Sequence, residues 1–449
     1  MKIKYLDPVC CEIISGHELI KEALSYKYEF WTSGRFKKEK RIGEKSFVFG
    51  TKTKYCYTGF ISRLEKYAKA KNLPFELIGK PIKINHIGEP NLPGIEFRDI
   101  QIEAINEILK HQCGLVNIAT GTGKTLLVCG LLSCFDNPKM LFLARSNDLI
   151  QQSSEVFTKY GYDVCTIGDG KKEITAPIVC ATAQSFKNVD LLKFSDYFNI
   201  IVVDEVQVGC KPKSEYEIIL NSILSPIRVG LTATLPTEAS ASMFLEGMFG
   251  KVLVKADTQY GVEQGILAKP SIELLVIPEN KSLKDLRLYR DIYEKGIVEN
   301  VIRNKIIAKT VKKEVDEGRS CLVFCTEIDH INNLSKILNE IDVPHECVHG
   351  EISTEARTKI KNDLNNKKTM VVISSTVFTA GVDIQTLDTI INVSSGKSSE
   401  VLLQKIGRGL RVTDEKKTAR IYDCLDQSPP VLASHSVKRI ATYIQNGFM

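Results

Sequence analysis

The sequence predicts an α/β protein in which a small α+β module precedes two parallel-sheet units in tandem. Three observations carry this expectation. From about Leu115 onward, short continuous apolar runs alternate with longer stretches of helical spacing, which is the rhythm of βα units. That rhythm lapses between about residues 257 and 318 and then resumes, so a second sheet follows the first. The first 85 or so residues show neither pattern, and in KSFVFGTKTKYCYTGF aromatic and β-branched residues are broken up by glycine.

Taken in order, the N-terminal segment holds one clear helix candidate, LEKYAKAKNLP. It ends in KPIKINHIGEPNLPGIEF, whose three prolines and two glycines suit a connector. The runs LVNIA (115–119), MLFLA (140–144), IVCATA (178–183), IIVVDE (200–205) and IRVGLTA (227–233) are apolar enough to be central strands covered on both faces. Between the sheets, LRLYRDIYEKGIVENVIRNKIIAKTVKKEVDEG has apolar residues three and four apart and stops at Gly318, which predicts helices. CLVFC (321–325), ECVHG (346–350), MVVISS (370–375), TIINV (389–393) and ARIYDCL (419–425) supply the second sheet. Domains are therefore expected over 1–85, 86–256 and 257–449.

At 449 residues, with 43% hydrophobic and 25% charged, the chain has the composition of a globular protein of two or three domains. No apolar run reaches the roughly 18 residues that span a bilayer. The start, MKIKYLDPVCCEIISGHELIKEAL, lacks the uninterrupted apolar stretch of a signal peptide, so a cytoplasmic protein with no membrane partner is expected. Thirteen cysteines, several inside strand-like runs, read as reduced core thiols, and no paired CxxC or CxxH spacing points to zinc. The net charge of +6 is unevenly placed: residues 1–90 carry 18 Lys and Arg against 10 Asp and Glu, the remainder 42 against 44. Such asymmetry marks the first fifth as either a phosphate-contacting module or a solvated basic surface.

In LVNIATGTGKTLLVCGLL, Gly121, Gly123, Lys124 and Thr125 stand directly after a strand and open a helix. Glycines there let backbone N–H groups turn inward around phosphates, Lys124 reaches the β- and γ-phosphates of ATP, and the Thr125 hydroxyl ligates Mg²⁺. Ile118 occupies the place where the general pattern has another glycine, so the full motif fails by one residue while its GxGKT core is intact. About 80 residues on, IIVVDEVQ ends a strand with Asp204, which can hold the Mg²⁺ shell, and Glu205, which can polarise the attacking water.

With GLTATLP (230–236), FCT (324–326), SSTVFTAGVDI (374–384) and QKIGRGLR (404–411) added in order, the chain resembles superfamily 2 helicases over about residues 95–425. The resemblance implies two tandem RecA-like domains with ATP bound between them. It implies that Arg98 and Gln101 of FRDIQ form an adenine-reading element, Gln101 making the contact, and that Thr120 to Thr125, including Thr122, cradle the nucleotide. Gln404 would face the γ-phosphate, and Arg408 and Arg411 would be arginine fingers. Gln207, Thr232 and Thr234 resemble the coupling motif, and Gly381 and Asp383 the segment joining the ATP site to the nucleic-acid groove. The backbone-tracking positions of the family fall on Arg145, Thr182, Gln184, Ser185, Thr326, His349, Gly350 and Thr376.

Gln207 stands where many relatives have Asp or His, so the link from ATP to the second domain is expected to be tuned differently. The DEAD sequence, longer glutamine motif and HRIGRxGR of the RNA-specific branch do not occur. The compact layout, RxxQ and QxxGRxxR look more like the UvsW-type branch-migration helicases of tailed phages, with RecG and the type I restriction motors as more distant relatives. That resemblance implies forked, branched or duplex DNA as partner, action as a monomer in the cytoplasm of a host cell, and phage replication or recombination proteins as further partners. An RNA helicase is the first rival. A restriction motor is the second, although about 24 residues beyond ARIYDCL leave no room for a C-terminal nuclease or methylase. Intact Lys124, Glu205, Arg408 and Arg411 argue against a nucleotide-switched scaffold.

The segment EFWTSGRFKKEKRIGEKSFVFG interleaves Arg35, Lys37, Lys38, Lys40, Arg41 and Lys45 with Phe30, Trp31, Phe36 and Phe47. That mixture suits neutralising phosphates and stacking on exposed bases, with Arg35, Lys37, Lys38 and Arg41 as the DNA-contact candidates. It equally describes a solvated basic hairpin whose aromatics fill a small core, anchored by Trp31.

Overall fold

The computed structural model describes residues 1–33, 38–168, 170–375, 384, 386–396, 402, 407 and 418–449, with only the backbone given for 31–33, 38–40 and 354. The chain forms two compact units, Met1–Ile118 with Gly123–Ala256 and Asp257–Met449 with Ala119–Thr122. Each is described in its own right.

The N-terminal part of the first unit contains β1 (Lys2–Tyr5), β2 (Cys10–Ser15), β3 (Ser25–Ser33), β4 (Lys38–Ser46), β5 (Tyr55–Tyr57) and β6 (Glu76–Ile78). Four of these form a mixed sheet in the order β5-β2-β1-β6, and β3 and β4 form a separate antiparallel hairpin. The predicted helix is found over Ile61–Ala70, and residues 79–97 have no regular structure.

The larger sheet of this unit is built from β7 (Cys113–Ile118), β8 (Met140–Ala144), β9 (Val164–Ile167), β10 (Ile178–Thr182), β11 (Ile200–Val203), β12 (Ile227–Thr232) and β13 (Val252–Ala256). Its order is β13-β7-β12-β11-β8-β10-β9, and every pairing is parallel. The central strands β8, β10, β11 and β12 are buried along their whole length, which is why they read as unbroken apolar runs. In the second unit, β14 (Lys269–Ile277), β15 (Cys321–Phe324), β16 (Glu346–Val348), β17 (Val371–Ser374), β18 (Thr389–Asn392) and β19 (Thr418–Asp426) form another all-parallel sheet, ordered β14-β19-β18-β15-β17-β16. In the two parallel sheets three strands escaped the sequence reading, β9, β13 and β14, and all three stand at the ends of the strand order, where the apolar run is interrupted.

The small N-terminal sheet does not stand apart from the larger one. Ile3, Cys11 and Phe60 share one core with Val179, Phe244 and Phe249. Gly59 lies against the C-terminal turn of the helix Ala239–Phe249, where a Cβ would come within 2.2 Å of the Glu246 carbonyl oxygen, so no larger residue fits. Tyr57 donates to Glu217 Oε1 at 2.9 Å and Arg63 Nε to Glu246 Oε2 at 2.9 Å, closing the polar rim of that contact. None of the thirteen cysteines is bonded to another, and burial pushes the Cys11 and Cys134 thiols up to about 11. Among the described residues no helix is long and apolar enough to cross a membrane.

Candidate nucleotide and nucleic-acid site

In a parallel sheet the C-terminal strand ends gather at one edge, and that edge is where ligands bind. Here β7, β12 and β11 are consecutive neighbours. Their ends release the phosphate loop, the TAT segment and the Asp204–Glu205 pair respectively, so motifs far apart in the chain meet by strand order alone.

Gly121 and Gly123 have φ of 86° and 89°, a region that glycine enters without cost, and the helix Lys124–Ser133 begins immediately after. Thr122 is buried and donates its hydroxyl to the Ala119 carbonyl at 2.7 Å, fixing the turn from inside. Lys124 Nζ lies 3.4 Å from the Ile118 carbonyl and 3.5 Å from Glu205 Oε1, so its charge is held at the strand end by groups that a phosphate can replace. Thr125 is partly buried on the first turn of the same helix.

Asp204 Oδ1 accepts the backbone N–H of Glu205 at 3.0 Å. Glu205 itself has φ of 51°, a left-handed conformation that is strained for a side chain with a Cβ and typical of functional turns. Gln207 donates Nε2–H to Glu205 Oε2 at 2.6 Å, and its Oε1 lies 2.6 Å from the Thr232 hydroxyl. That hydroxyl is also 2.6 Å from the Thr234 carbonyl and accepts the Thr234 N–H at 3.1 Å. It has one proton, so it can donate to only one of the two oxygens at a time. Thr234 Oγ1 is buried and without a partner among the described residues. The predicted Gln207, Thr232 and Thr234 are therefore one hydrogen-bonded group, joined to Glu205.

Gln101 differs from its expected placement. It is 1% exposed; its Oε1 accepts the Arg98 N–H at 3.0 Å and its Nε2 donates to the Gly123 carbonyl at 3.2 Å. The carboxamide braces the phosphate loop and is closed to a base in this conformation. Arg98 is the exposed member of the pair, with Nη1 3.9 Å from where a Gly123 Cβ would sit.

Further along the same edge, Arg145 follows β8 and is exposed, while Thr182 ends β10 and caps the short helix Ala183–Phe186, accepting the Ser185 N–H at 3.2 Å and donating to Ser185 Oγ at 3.0 Å. Gln184 is exposed. In the second unit, Thr326 follows β15 and is exposed, and His349 and Gly350 follow β16, on the other side of β17. His349 Nδ1 is buried without a hydrogen-bond partner among the described residues, with Glu351 Oε2 3.9 Å away. Thr376, Gly381, Asp383, Gln404, Arg408 and Arg411 lie outside the described residues.

On the β3–β4 hairpin, Phe47 is packed in the core against Phe60 and Phe244 at 5.8 and 6.3 Å, as the core reading of the aromatics has it. Phe30 is 37% exposed, as the surface reading has it. Arg35 and Lys37 and the side chains of Trp31 and Lys38 are outside the described residues, and Arg41 is exposed. Two residues were missed. Tyr26 and Tyr28 continue the face of Phe30, with ring centroids 6.4 and 5.6 Å apart along the series, and Lys45 Nζ sits 4.6 Å over Tyr28. The signal was the period-two alternation in YKYEF, just upstream of the segment read as basic.

Residues 94–237 match the family described as type III restriction enzyme, res subunit, and residues 302–413 match the helicase conserved C-terminal domain, together more than half of the chain. The chain is 26% identical over 355 residues to the ATP-dependent DNA helicase uvsW of Enterobacteria phage T4, covering 74% of this chain and 69% of that protein. It is 24% identical over 357 residues to the DNA 3'-5' translocase XPB2 of Sulfurisphaera tokodaii, covering 72% and 80%. Its fold resembles S. cerevisiae Dbp5 bound to RNA and ADP BeF3, with a TM-score of 0.58 at 16% identity over 78% of this chain and 88% of that one. The chain belongs to the superfamily 2 helicases and is an ATP-dependent motor that acts on nucleic acid.

Proposed function

We propose that this helicase works on DNA, translocating along it and unwinding or branch-migrating forks and junctions during replication, recombination or repair. The 3.5 Å approach of Lys124 Nζ to Glu205 Oε1, across β12 from the ends of β7 and β11, is the observation that most supports an active ATP site. In this reading Lys124 takes the β- and γ-phosphates, Glu205 polarises the attacking water, and Arg98 meets the base while Gln101 braces the loop. The hard oxygen donors of Thr125 and Asp204 suit Mg²⁺, which would supply charge neutralisation at the phosphates. Gln404, Arg408 and Arg411 complete the reaction, since an arginine delivered by the second domain makes hydrolysis depend on domain closure. Gly381 and Asp383 would relay that closure to the nucleic acid.

The DNA backbone would be tracked by Arg145, Thr182, Gln184, Ser185, Thr326, His349, Gly350 and Thr376, contacts that hold phosphates without choosing bases. The hairpin, with Arg35, Lys37, Lys38 and Arg41, would engage duplex or junction DNA beside the motor. Action as a monomer in the cytoplasm of a phage-infected host, alongside phage replication or recombination proteins, follows from the same reading.

The decisive measurement compares ATP hydrolysis and strand separation on single strands, forks, four-way junctions and RNA duplexes. Hydrolysis should be slow alone and rise most on branched DNA, and Lys124→Ala and Glu205→Gln should each lower it on the order of a hundredfold or more. Stimulation by RNA and not DNA would favour the RNA-helicase alternative; normal turnover by Lys124→Ala would remove the site assignment.

A further inference from the structure

The β3–β4 hairpin pairs without a bulge from Ser25 opposite Ser46 to Ser33 opposite Lys38, so its register assigns every residue to one of two faces. Tyr26, Tyr28 and Phe30 share one face with their cross-strand partners Lys45, Gly43 and Arg41. The rings form a row, with centroids 6.4 Å apart from Tyr26 to Tyr28 and 5.6 Å apart from Tyr28 to Phe30. The row is rooted at one end, where Tyr26 packs on Phe47 at 5.4 Å, and open at the other, where Phe30 is exposed. Glycine at position 43 lets the middle ring lie down: a Cβ there would come within 2.7 Å of Tyr28 Cζ, so the ring covers the backbone of the partner strand. Lys45 Nζ stands 4.6 Å from the centre of that ring.

Packing does not account for the row. Two strands alone bury little, and an aromatic side chain left partly in water contributes only a fraction of what it would in a core. The opposite face, over the same stretch, pairs Lys27 with Glu44 and Glu29 with Ile42, one cation against two carboxylates. The aromatic face carries Lys45 and Arg41 and no acid over those residues. Rings flanked only by cations are complementary to a polymer with flat bases and an anionic backbone. The spacing selects the form of that polymer. The 5.6 and 6.4 Å between rings is well above the roughly 3.4 Å rise per base of a duplex strand, so neighbouring rings meet successive bases only in a strand drawn out of the duplex. Bases inside a duplex present their edges in the grooves, while their faces are covered by their neighbours.

We infer that this face of the hairpin is a stacking platform for an unpaired nucleic-acid strand: Phe30 and Tyr28 take successive bases, and Lys45 and Arg41 take the phosphates beside them. Tyr26, packed on Phe47, anchors the row to the core of the first unit. The inference rests on the reading of the hairpin as a nucleic-acid contact and deepens it, because it assigns the rings to a single strand. Stacking is tolerant of which base it meets, so the platform grips a parted strand whatever its sequence.

The test measures binding of the full chain, without nucleotide, to oligo-dT and to an abasic strand of equal length, which keeps the phosphates and lacks the bases. Wild-type protein should prefer oligo-dT. Phe30→Ala and Tyr28→Ala should each weaken oligo-dT binding about tenfold and leave abasic binding within about twofold. Phe30→Trp, which restores a flat ring, should regain the affinity, and Ile42→Ala, on the opposite face, should change neither strand's binding. Lys45→Ala should weaken both strands alike, since both carry the phosphates it meets. Equal losses on the two strands in the ring variants, or undiminished oligo-dT binding by a Phe30→Ala protein whose thermal midpoint shows it folded, overturn the inference. Ring-dependent binding of oligo-rU together with no binding of oligo-dT is the separate result that leaves the platform standing and removes DNA as the track of the motor.

Discussion

Gln207 is the residue on which the candidate site turns. Its amide nitrogen binds Glu205 and its amide oxygen faces Thr232, so one planar group links the carboxylate proposed to activate water with the segment proposed to couple hydrolysis to movement. An imidazole or carboxylate could make only part of this bridge in one protonation state, whereas a carboxamide donates and accepts at any pH. The Thr232 proton is contested between Gln207 and the Thr234 carbonyl, and these alternatives give the link two arrangements. Replacing Gln207 with Ala should lower kcat about tenfold, the worth of one strong hydrogen bond. Strand separation should fall further than hydrolysis. Parallel measurement of both rates decides the matter, since equal falls would mean that Gln207 only orients Glu205.

At the scale of elements, the helix Val301–Asp316 is bound to its sheet through Glu314. The carboxylate is fully buried and accepts from Arg319 Nε at 2.6 Å, Thr389 Oγ1 at 2.8 Å and the Tyr422 hydroxyl at 2.9 Å, tying the helix to β18 and β19. Burial works against its charge, yet the hydrogen bonds from Arg319, Thr389 and Tyr422 hold the carboxyl below the usual glutamate range. A carboxyl depressed in the folded state contributes stability that is fully present above its unfolded value, about 4.3, and is lost as pH falls through the lower folded value. Glu314→Gln should therefore cost about 2 kcal/mol near neutral pH. Chemical denaturation of the two proteins should give curves that converge in acid; a gap that persists unchanged below pH ~3 would exclude the ionised carboxylate as its source.

Across the whole molecule, positive charge is concentrated in the first ninety residues, and the hairpin that carries much of it is rooted in the core of the first unit through Phe47. If the hairpin neutralises phosphates, reversing the charges of Lys37, Lys38 and Arg41 should weaken DNA binding and reduce the slope of log affinity against log salt by about 3. A slope that stays the same while the fold is intact would take the hairpin out of the DNA path. The fusion of the N-terminal module to the helix Ala239–Phe249 gives this prediction mechanical weight, because that helix follows the TAT segment in the chain.

The order of motifs, the two parallel sheets and the position of Lys124, Asp204 and Glu205 just beyond strand ends were all legible in the sequence, because buried parallel strands leave continuous apolar runs and the polar residues after such a run mark where the strand stops. Pairing order was not legible: only the neighbouring positions of β7, β12 and β11 bring Lys124, Thr232 and Glu205 together. Nor could sequence show Gln101 turned onto Gly123, or β9, β13 and β14 at the ends of the strand order. Local pattern records whether a residue is buried; which distant carbonyl its side chain then meets depends on how the layers pack, and only the tertiary structure decided that.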